Sequence, residues 1–216
     1  MKPTLLALVL AACCAAPAAA QPYSGSSGPG AGLRVYGIFD TTTVAASKSF
    51  DAIFGSSQMT GFGGGAEVDV WHHLFLRIAV THSSRTGSRV FVDDGGQVYP
   101  LDIPLTVTMT PIEAGGGWRF PINSRVTPYV GGAFISLDYQ ETSDFAQAGD
   151  NVSERYTGGE GFGGVDVKVW KGLFIGGEAQ YRHIGVPDVS TSVMNQFGET
   201  DLGGFSARVL VGFGTR

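Results

Sequence analysis

From Leu33 to the C-terminus the chain alternates apolar and polar positions with a period of two, and no stretch keeps a helical period over ten residues. The final segment is the clearest, with Phe205, Ala207, Val209, Val211 and Phe213 on one face and Ser206, Arg208, Leu210, Gly212 and Gly214 on the other. Leu173, Ile175, Gly177, Ala179 and Tyr181 oppose Phe174, Gly176, Glu178, Gln180 and Arg182 in the same way. Phe62, Gly64, Ala66, Val68 and Val70 alternate with Gly63, Gly65, Glu67, Asp69 and Trp71. Tyr129, Gly131, Ala133, Ile135, Leu137 and Tyr139 alternate with Val130, Gly132, Phe134, Ser136 and Asp138. The pattern predicts eight strands: Leu33 to Thr43, Phe62 to Trp71, Phe75 to His82, Leu105 to Phe120, Val126 to Tyr139, Gly161 to Trp170, Leu173 to His183 and Gly204 to Gly214. In the fourth, Leu105, Val107 and Met109 set one parity and Ala114, Gly116 and Trp118 the other. A bulge is therefore expected near Pro111, a residue that cannot donate to a ladder.

The connections decide the architecture. Trp71 to Leu74, Pro121 to Arg125 and Trp170 to Leu173 are tight, whereas about Thr43 to Thr60, Ser83 to Pro104, Gln140 to Gly159 and Ile184 to Gly203 are long and polar. Short and long links alternate, as the periplasmic turns and extracellular loops of a transmembrane barrel do. Strands of nine or more residues suit a tilted membrane crossing, and closure leaves no unpaired backbone edge in lipid. The expected fold is all-β: an eight-stranded antiparallel up-and-down transmembrane barrel. Its lumen is too narrow for a channel and is filled by Glu67, Asp69, Arg77, Asp166, Lys168, Glu178, Arg182 and Arg208 as paired charges. Gly63, Gly132, Gly176 and Gly212 are assigned to that inner face and the aromatic residues to interfacial girdles. A soluble lipocalin-like barrel reverses the two faces, and alternation by itself does not choose between them. In the second long loop, Arg89 to Val92 and Gln97 to Tyr99 flank Asp93-Asp94-Gly95-Gly96, which predicts a hairpin extending two strands beyond the membrane.

Composition sharpens the picture. The 216 residues include 33 glycines and only 15% charged residues, with a net charge of −5 and no cluster of Lys or Arg, so nucleic acid is excluded as a partner. Lys2, the apolar run Leu5 to Ala16 and Ala18-Ala19-Ala20 read as a secretory signal peptide over residues 1–20. Leu10-Ala11-Ala12-Cys13 also fits a lipidation signal at Cys13. Both cysteines lie in this segment, so after cleavage at Ala20 the exported chain has no disulfide, thiol catalysis or Cys-ligated zinc. Residues 21–32, rich in Gly, Ser and Pro, read as a flexible linker, and 33–216 as the barrel domain.

Gly61-Phe-Gly-Gly with Val68-Asp-Val-Trp-His-His-Leu-Phe-Leu recurs as Gly161-Phe-Gly-Gly with Val167-Lys-Val-Trp-Lys-Gly-Leu-Phe-Ile, at spacings of 100 and 99 residues. Two copies of a four-strand unit are expected. Trp71 and Trp170 are either interfacial anchors beside a periplasmic turn or, by parity, interior packing. The segments GGGWRF (Gly115 to Phe120), VTPYVGGAF (Val126 to Phe134), GGEAQYR (Gly176 to Arg182) and the last strand FSARVLVGF resemble the small outer-membrane β-barrels of Gram-negative bacteria, the group of the OmpA transmembrane domain, OmpX and the opacity-type proteins. The resemblance covers about Leu33 to Arg216. It implies an outer-membrane location, contact with outer-membrane lipid, delivery by the barrel assembly machinery and a monomer. Such proteins usually end in an aromatic residue, whereas here Phe213 is followed by Gly-Thr-Arg.

Candidate chemistry is sparse. The glycine run from Gly61 opens a strand rather than the helix a dinucleotide site needs, and the adjacent His72 and His73 read as a solvated turn rather than a metal site. His82-Ser83-Ser84 resembles the His-Ser pair of the outer-membrane lipid A deacylase PagL. That resemblance implies His82 as base, Ser84 as nucleophile and Glu178 or Glu141 as orienting carboxylate. His183 lacks a serine and reads as an interfacial polar residue. The expected protein is thus a non-enzymatic barrel without a cofactor, serving envelope structure or adhesion, with an extracellular ligand bound through its loops. The alternatives are the His82/Ser84 hydrolase and a soluble periplasmic ligand-binding barrel.

Overall fold

The structure is a computed structural model, which describes residues 32–93, 96–143, 151–187 and 193–215. The segment expected to be a signal peptide, most of the expected linker, and Asp94 and Gly95 of the expected hairpin turn lie outside the described residues. Eight strands, β1 (Leu33–Val44), β2 (Gln58–Trp71), β3 (Leu74–Val92), β4 (Val98–Arg119), β5 (Val126–Thr142), β6 (Val152–Lys168), β7 (Leu173–Gly185) and β8 (Gly204–Gly214), pair antiparallel in chain order and close through β1 against β8. Closure is in register along the seam, from Arg34 opposite Gly214 to Val44 opposite Gly204. No sheet edge is left in this ring, the condition for strands to cross lipid. No described helix is long and apolar enough to cross a membrane.

Side-chain direction follows the two-residue period. Phe39, Phe62, Phe134, Tyr181 and Phe205 are exposed around one end of an apolar belt, and Trp71, Trp118, Phe120, Trp170 and Phe213 around the other. On β8 the two girdles lie eight residues apart, roughly 21 Å at about 3.4 Å per residue and a tilt near 40°. That matches the hydrocarbon thickness such barrels present. Trp71 reaches the outer surface, 64% exposed, because the β2–β3 register shifts between Asp69 and Trp71. Trp170, 75% exposed, lies in the turn after β6. Both are outside the core that their parity suggested.

Beyond the outer girdle β3 and β4 run on together, with Phe91 facing Tyr99 and Val92 facing Val98. Asp93 holds the turn: Gly96 N donates to its carbonyl at 2.9 Å and Gln97 N to its Oδ1 at 2.8 Å. The predicted extension of these strands is therefore present in the described part.

Three expectations need correction. The β3–β4 and β4–β5 registers run straight past Pro111, which faces Leu137; the irregularity lies instead between Ser88 and Val90, in the hairpin. Odd-numbered positions of β4 face inward throughout, from buried Leu105, Val107 and Met109 to Glu113 and Arg119. The parity change in the sequence marks a change in what fills the interior, apolar near the loops and charged below. For the same reason β5 is inverted relative to its reading: Tyr129, Ile135, Leu137 and Tyr139 are buried while Val130 and Phe134 face out, and Gly132 sits on the outer side. The apolar stripe expected to face lipid belongs to the core.

The repeat also divides. Phe62 is 70% exposed and Phe162 only 3%, although both follow Gly in the same motif. The motif halves are spaced 100 and 99 residues apart, and a one-residue difference turns every side chain to the opposite face. The VxVW halves keep the same facing, and the GFGG halves do not.

Candidate functional site

Inside the ring the lumen is layered. At the end of the short turns is an open cavity of about 310 Å³. Above it five arginines and seven carboxylates interlock. Arg34 bonds Asp166 at 2.6 Å and lies 3.6 Å from Glu67. Arg119 joins Glu67 to Asp69, and Arg77 bonds Glu178 at 2.7 Å with Glu67 at 3.8 Å. Higher up, Arg182 meets Glu113 at 2.9 Å, Glu160 at 3.1 Å and Asp40 at 3.4 Å. Arg208 meets Asp40 at 2.6 Å, Glu113 through both terminal nitrogens, and Glu178 at 3.7 Å. Every guanidinium thus has at least two acids, the condition under which buried charge is tolerated.

Neutral groups knit the layers together. Tyr129 Oη donates to Glu178 at 2.9 Å, Gln180 Nε2 donates to Glu178 at 2.6 Å, and Arg182 donates to Gln180 Oε1 at 2.8 Å. Aromatic faces cover the lower cations, Arg34 stacking on Phe174 at 3.9 Å, Arg119 on Phe75 at 4.1 Å and Arg77 on Phe162 at 4.2 Å. Glycine makes room for the rings: a Cβ on Gly65 would stand 2.7 Å from Tyr36 Oη.

Above the charges lies an apolar core of Val44, Met59, Val107, Met109, Ile135, Leu137, Tyr139, Tyr156, Ile184 and Leu202. Phe50, from the helix α1 (Ser47–Phe54) between β1 and β2, belongs to this core, as does Met194 from the short turn of helix α2 (Val193–Gln196) between β7 and β8. α1 is held at both ends. Glu199 accepts from Lys48 N at 2.8 Å, Ser49 N at 2.9 Å and Ser49 Oγ at 2.7 Å, a carboxylate at the positive end of the helix. Arg85 of β3 donates to Phe54 O at 2.9 Å and Gln58 O at 2.7 Å. Beside it Glu141, in the part of β5 beyond the membrane belt, uses one oxygen to accept from Tyr139 Oη at 2.7 Å and Val193 N at 3.1 Å. Burial pushes its carboxyl above the usual range.

Of the residues singled out in the sequence, Glu67, Asp69, Arg77, Asp166, Glu178, Arg182 and Arg208 all belong to this linked set. Lys168 does not: it is exposed at the rim of the lower cavity, because β6 ends there and the wall no longer encloses it. Sequence reasoning missed Arg34, Asp40, Glu113, Arg119 and Glu160. Counting back in twos from Asp166 reaches Glu160, and counting on in twos from Met109 reaches Glu113 and Arg119. An assumed bulge and a strand begun at Gly161 hid these three.

The hydrolase constellation is separated by the wall of the barrel. His82 Nδ1 pairs with Thr110 Oγ1 at 3.1 Å and Ser84 Oγ with Thr108 Oγ1 at 3.1 Å, both on the outer face. Thr86 continues this ladder with Thr106 at 2.8 Å. Glu178 and Glu141 are buried on the inner side. Nothing among the described residues joins His82 or Ser84 to a carboxylate. His72 and His73 lie in the β2–β3 turn at the cavity, and His183 pairs with Asp201 at 2.8 Å on the outer surface.

Comparisons with known proteins agree with this geometry. No curated protein is similar enough in sequence to match. Among solved structures, Neisserial surface protein A shares 12% identity over 88% of this chain and 98% of its own, with a TM-score of 0.51. OprG of Pseudomonas aeruginosa shares 10% over 85% and 94%, with a TM-score of 0.53. Ail, the attachment invasion locus protein of Yersinia pestis, solved with the heparin analogue sucrose octasulfate, shares 13% over 85% and 98%, with a TM-score of 0.50. At such identities the likeness is one of fold. The family described as outer membrane protein beta-barrel domain matches residues 5–213, so nearly the whole chain belongs to this family of outer-membrane barrels.

Proposed function

We propose that this outer-membrane protein is a closed, non-conducting and non-enzymatic barrel whose extracellular hairpin and loops make contacts outside the cell. The observation that carries the reading is the stacking of two fillings in one lumen, a cross-linked charge layer beneath an apolar plug, while β3 and β4 continue outward into solvent. A narrow ring filled with side chains has no path for solute. On the projecting hairpin Phe91, Tyr99 and Leu101 are exposed, aromatic and aliphatic groups of the kind that anchor protein contacts. As a closed ring without an edge, the barrel has no strand to share with a second copy, and we read it as a monomer delivered by the barrel assembly machinery.

Ail was crystallised with a sulfated ligand. The outer loops here are acidic in sequence, with Asp51, Asp93, Asp94, Asp102, Asp144, Asp150, Glu154, Asp188, Glu199 and Asp201 against Lys48, Arg85, Arg89 and Arg155. Such a surface repels sulfated chains and favours neutral or basic protein surfaces. The test replaces residues 88–104 by a two-residue turn and compares bacterial attachment to a matrix-protein-coated surface, and cell-to-cell clumping, with the parent. Loss of attachment or clumping at equal surface display supports the reading; unchanged behaviour in both assays leaves envelope support as the role.

A further inference from the structure

In the lower cavity cations outnumber acids, with Arg34, Arg119, Arg125 and Lys168 against Asp69 and Asp166. Of its carboxylates, Asp166 is taken by Arg34 at 2.6 Å and Asp69 by Arg119. Arg125 and Lys168, which line the same cavity, have no acidic partner among the described residues. They are also neighbours, since Lys168 N donates to Arg125 O at 2.8 Å where β5 begins and β6 ends. Like charges placed opposite each other repel, and an anion between them relieves that repulsion. His72 and His73 stand at the same cavity from the β2–β3 turn, and Ser124 and Thr127 add hydroxyl donors.

We propose that this mouth is a binding site for a phosphate-class oxyanion on the side of the short turns, the periplasmic side in this architecture. Several donors from separate turns surround a three-dimensional space of about 310 Å³, which fits a tetrahedral dianion and a small organic group attached to it better than a flat carboxylate. Arg125 and Lys168 supply the charge, as such residues do in phosphate sites generally. The imidazoles and hydroxyls supply further hydrogen bonds. The site is independent of any contact made by the loops at the other end.

The test uses the full exported chain folded in a non-ionic detergent. Inorganic phosphate is titrated against chloride at constant ionic strength, and backbone amide shifts are followed by NMR. A second titration with glycerol 3-phosphate separates free phosphate from a phosphate ester as the natural source. The site predicts saturable shifts confined to residues around His72, His73, Arg125 and Lys168. It predicts at least about tenfold weaker binding in the Arg125→Gln/Lys168→Gln double variant, and unchanged binding in Arg155→Gln at the opposite end. Both substituted positions are exposed, so the barrel is retained. Shifts that fail to saturate, that spread equally over both ends, or that survive the double substitution overturn the proposal.

Discussion

Arg208 is 2% exposed and meets three carboxylates, so the charge layer depends heavily on it. Arg208→Ala leaves Asp40 and Glu113 short of their donor, and breaking a buried pair costs about 3–5 kcal/mol. Unfolding midpoints in detergent should fall accordingly, while His82→Ala and Ser84→Ala, on the outer rim, should stay within about 0.5 kcal/mol of the parent and leave the acylation of lipid A unchanged. Gly65→Ala tests packing instead of charge. Its new methyl displaces Tyr36, whose hydroxyl accepts from Arg77 at 3.2 Å, and overpacking of this kind costs about 1–3 kcal/mol. Glu141 gives a pH test. Its raised carboxyl makes the folded chain hold a proton more tightly than the unfolded one, so stability is complete below the ordinary carboxylate range and falls as pH climbs through the raised value. Glu141→Gln keeps an oxygen for Tyr139 and Val193 and removes the buried charge. Compared by unfolding at pH 4 and pH 8, the variant should match the parent at the lower pH and exceed it at the higher.

The elements were legible wherever one face was charged. β2, β7 and β8 carry Glu67, Glu178 and Arg208 among small or apolar residues, and their inner faces could be read directly from the alternation. β4 and β5 could not, because their inward positions change from apolar to charged or small along the strand, and periodicity shows which residues share a face without showing where that face points. α1 was missed for a different reason. Eight residues are too few to stand on helical period, and the helix is secured by groups distant in sequence, Glu199 and Arg85. Glu199→Ala should therefore speed hydrogen exchange at the first amides of α1, with a loss of about 0.5–2 kcal/mol, and leave exchange in β7 and β8 slow. Equal acceleration throughout the barrel would mean that α1 is not an independent clasp.

At the scale of the molecule, the order of loop lengths and the evenness of the strand count were enough to foresee a closed eight-stranded ring. What they concealed is that the ring has two interiors. A lumen of charge alone would need partners along its full height. Here the upper part is closed by hydrophobic burial with Phe50 of α1 inserted, and only the lower part by ion pairs. The aromatic girdles lie around the outside at both ends of the belt, so the lipid-facing surface and the lumen obey separate patterns on the same strands. The most direct measurement of this account is the ion current through the purified barrel inserted in a planar lipid bilayer. The account predicts insertion without current above the bare membrane. Reproducible, ohmic current steps from the parent protein would contradict it, since no continuous water path is compatible with an apolar plug above an interlocked charge layer.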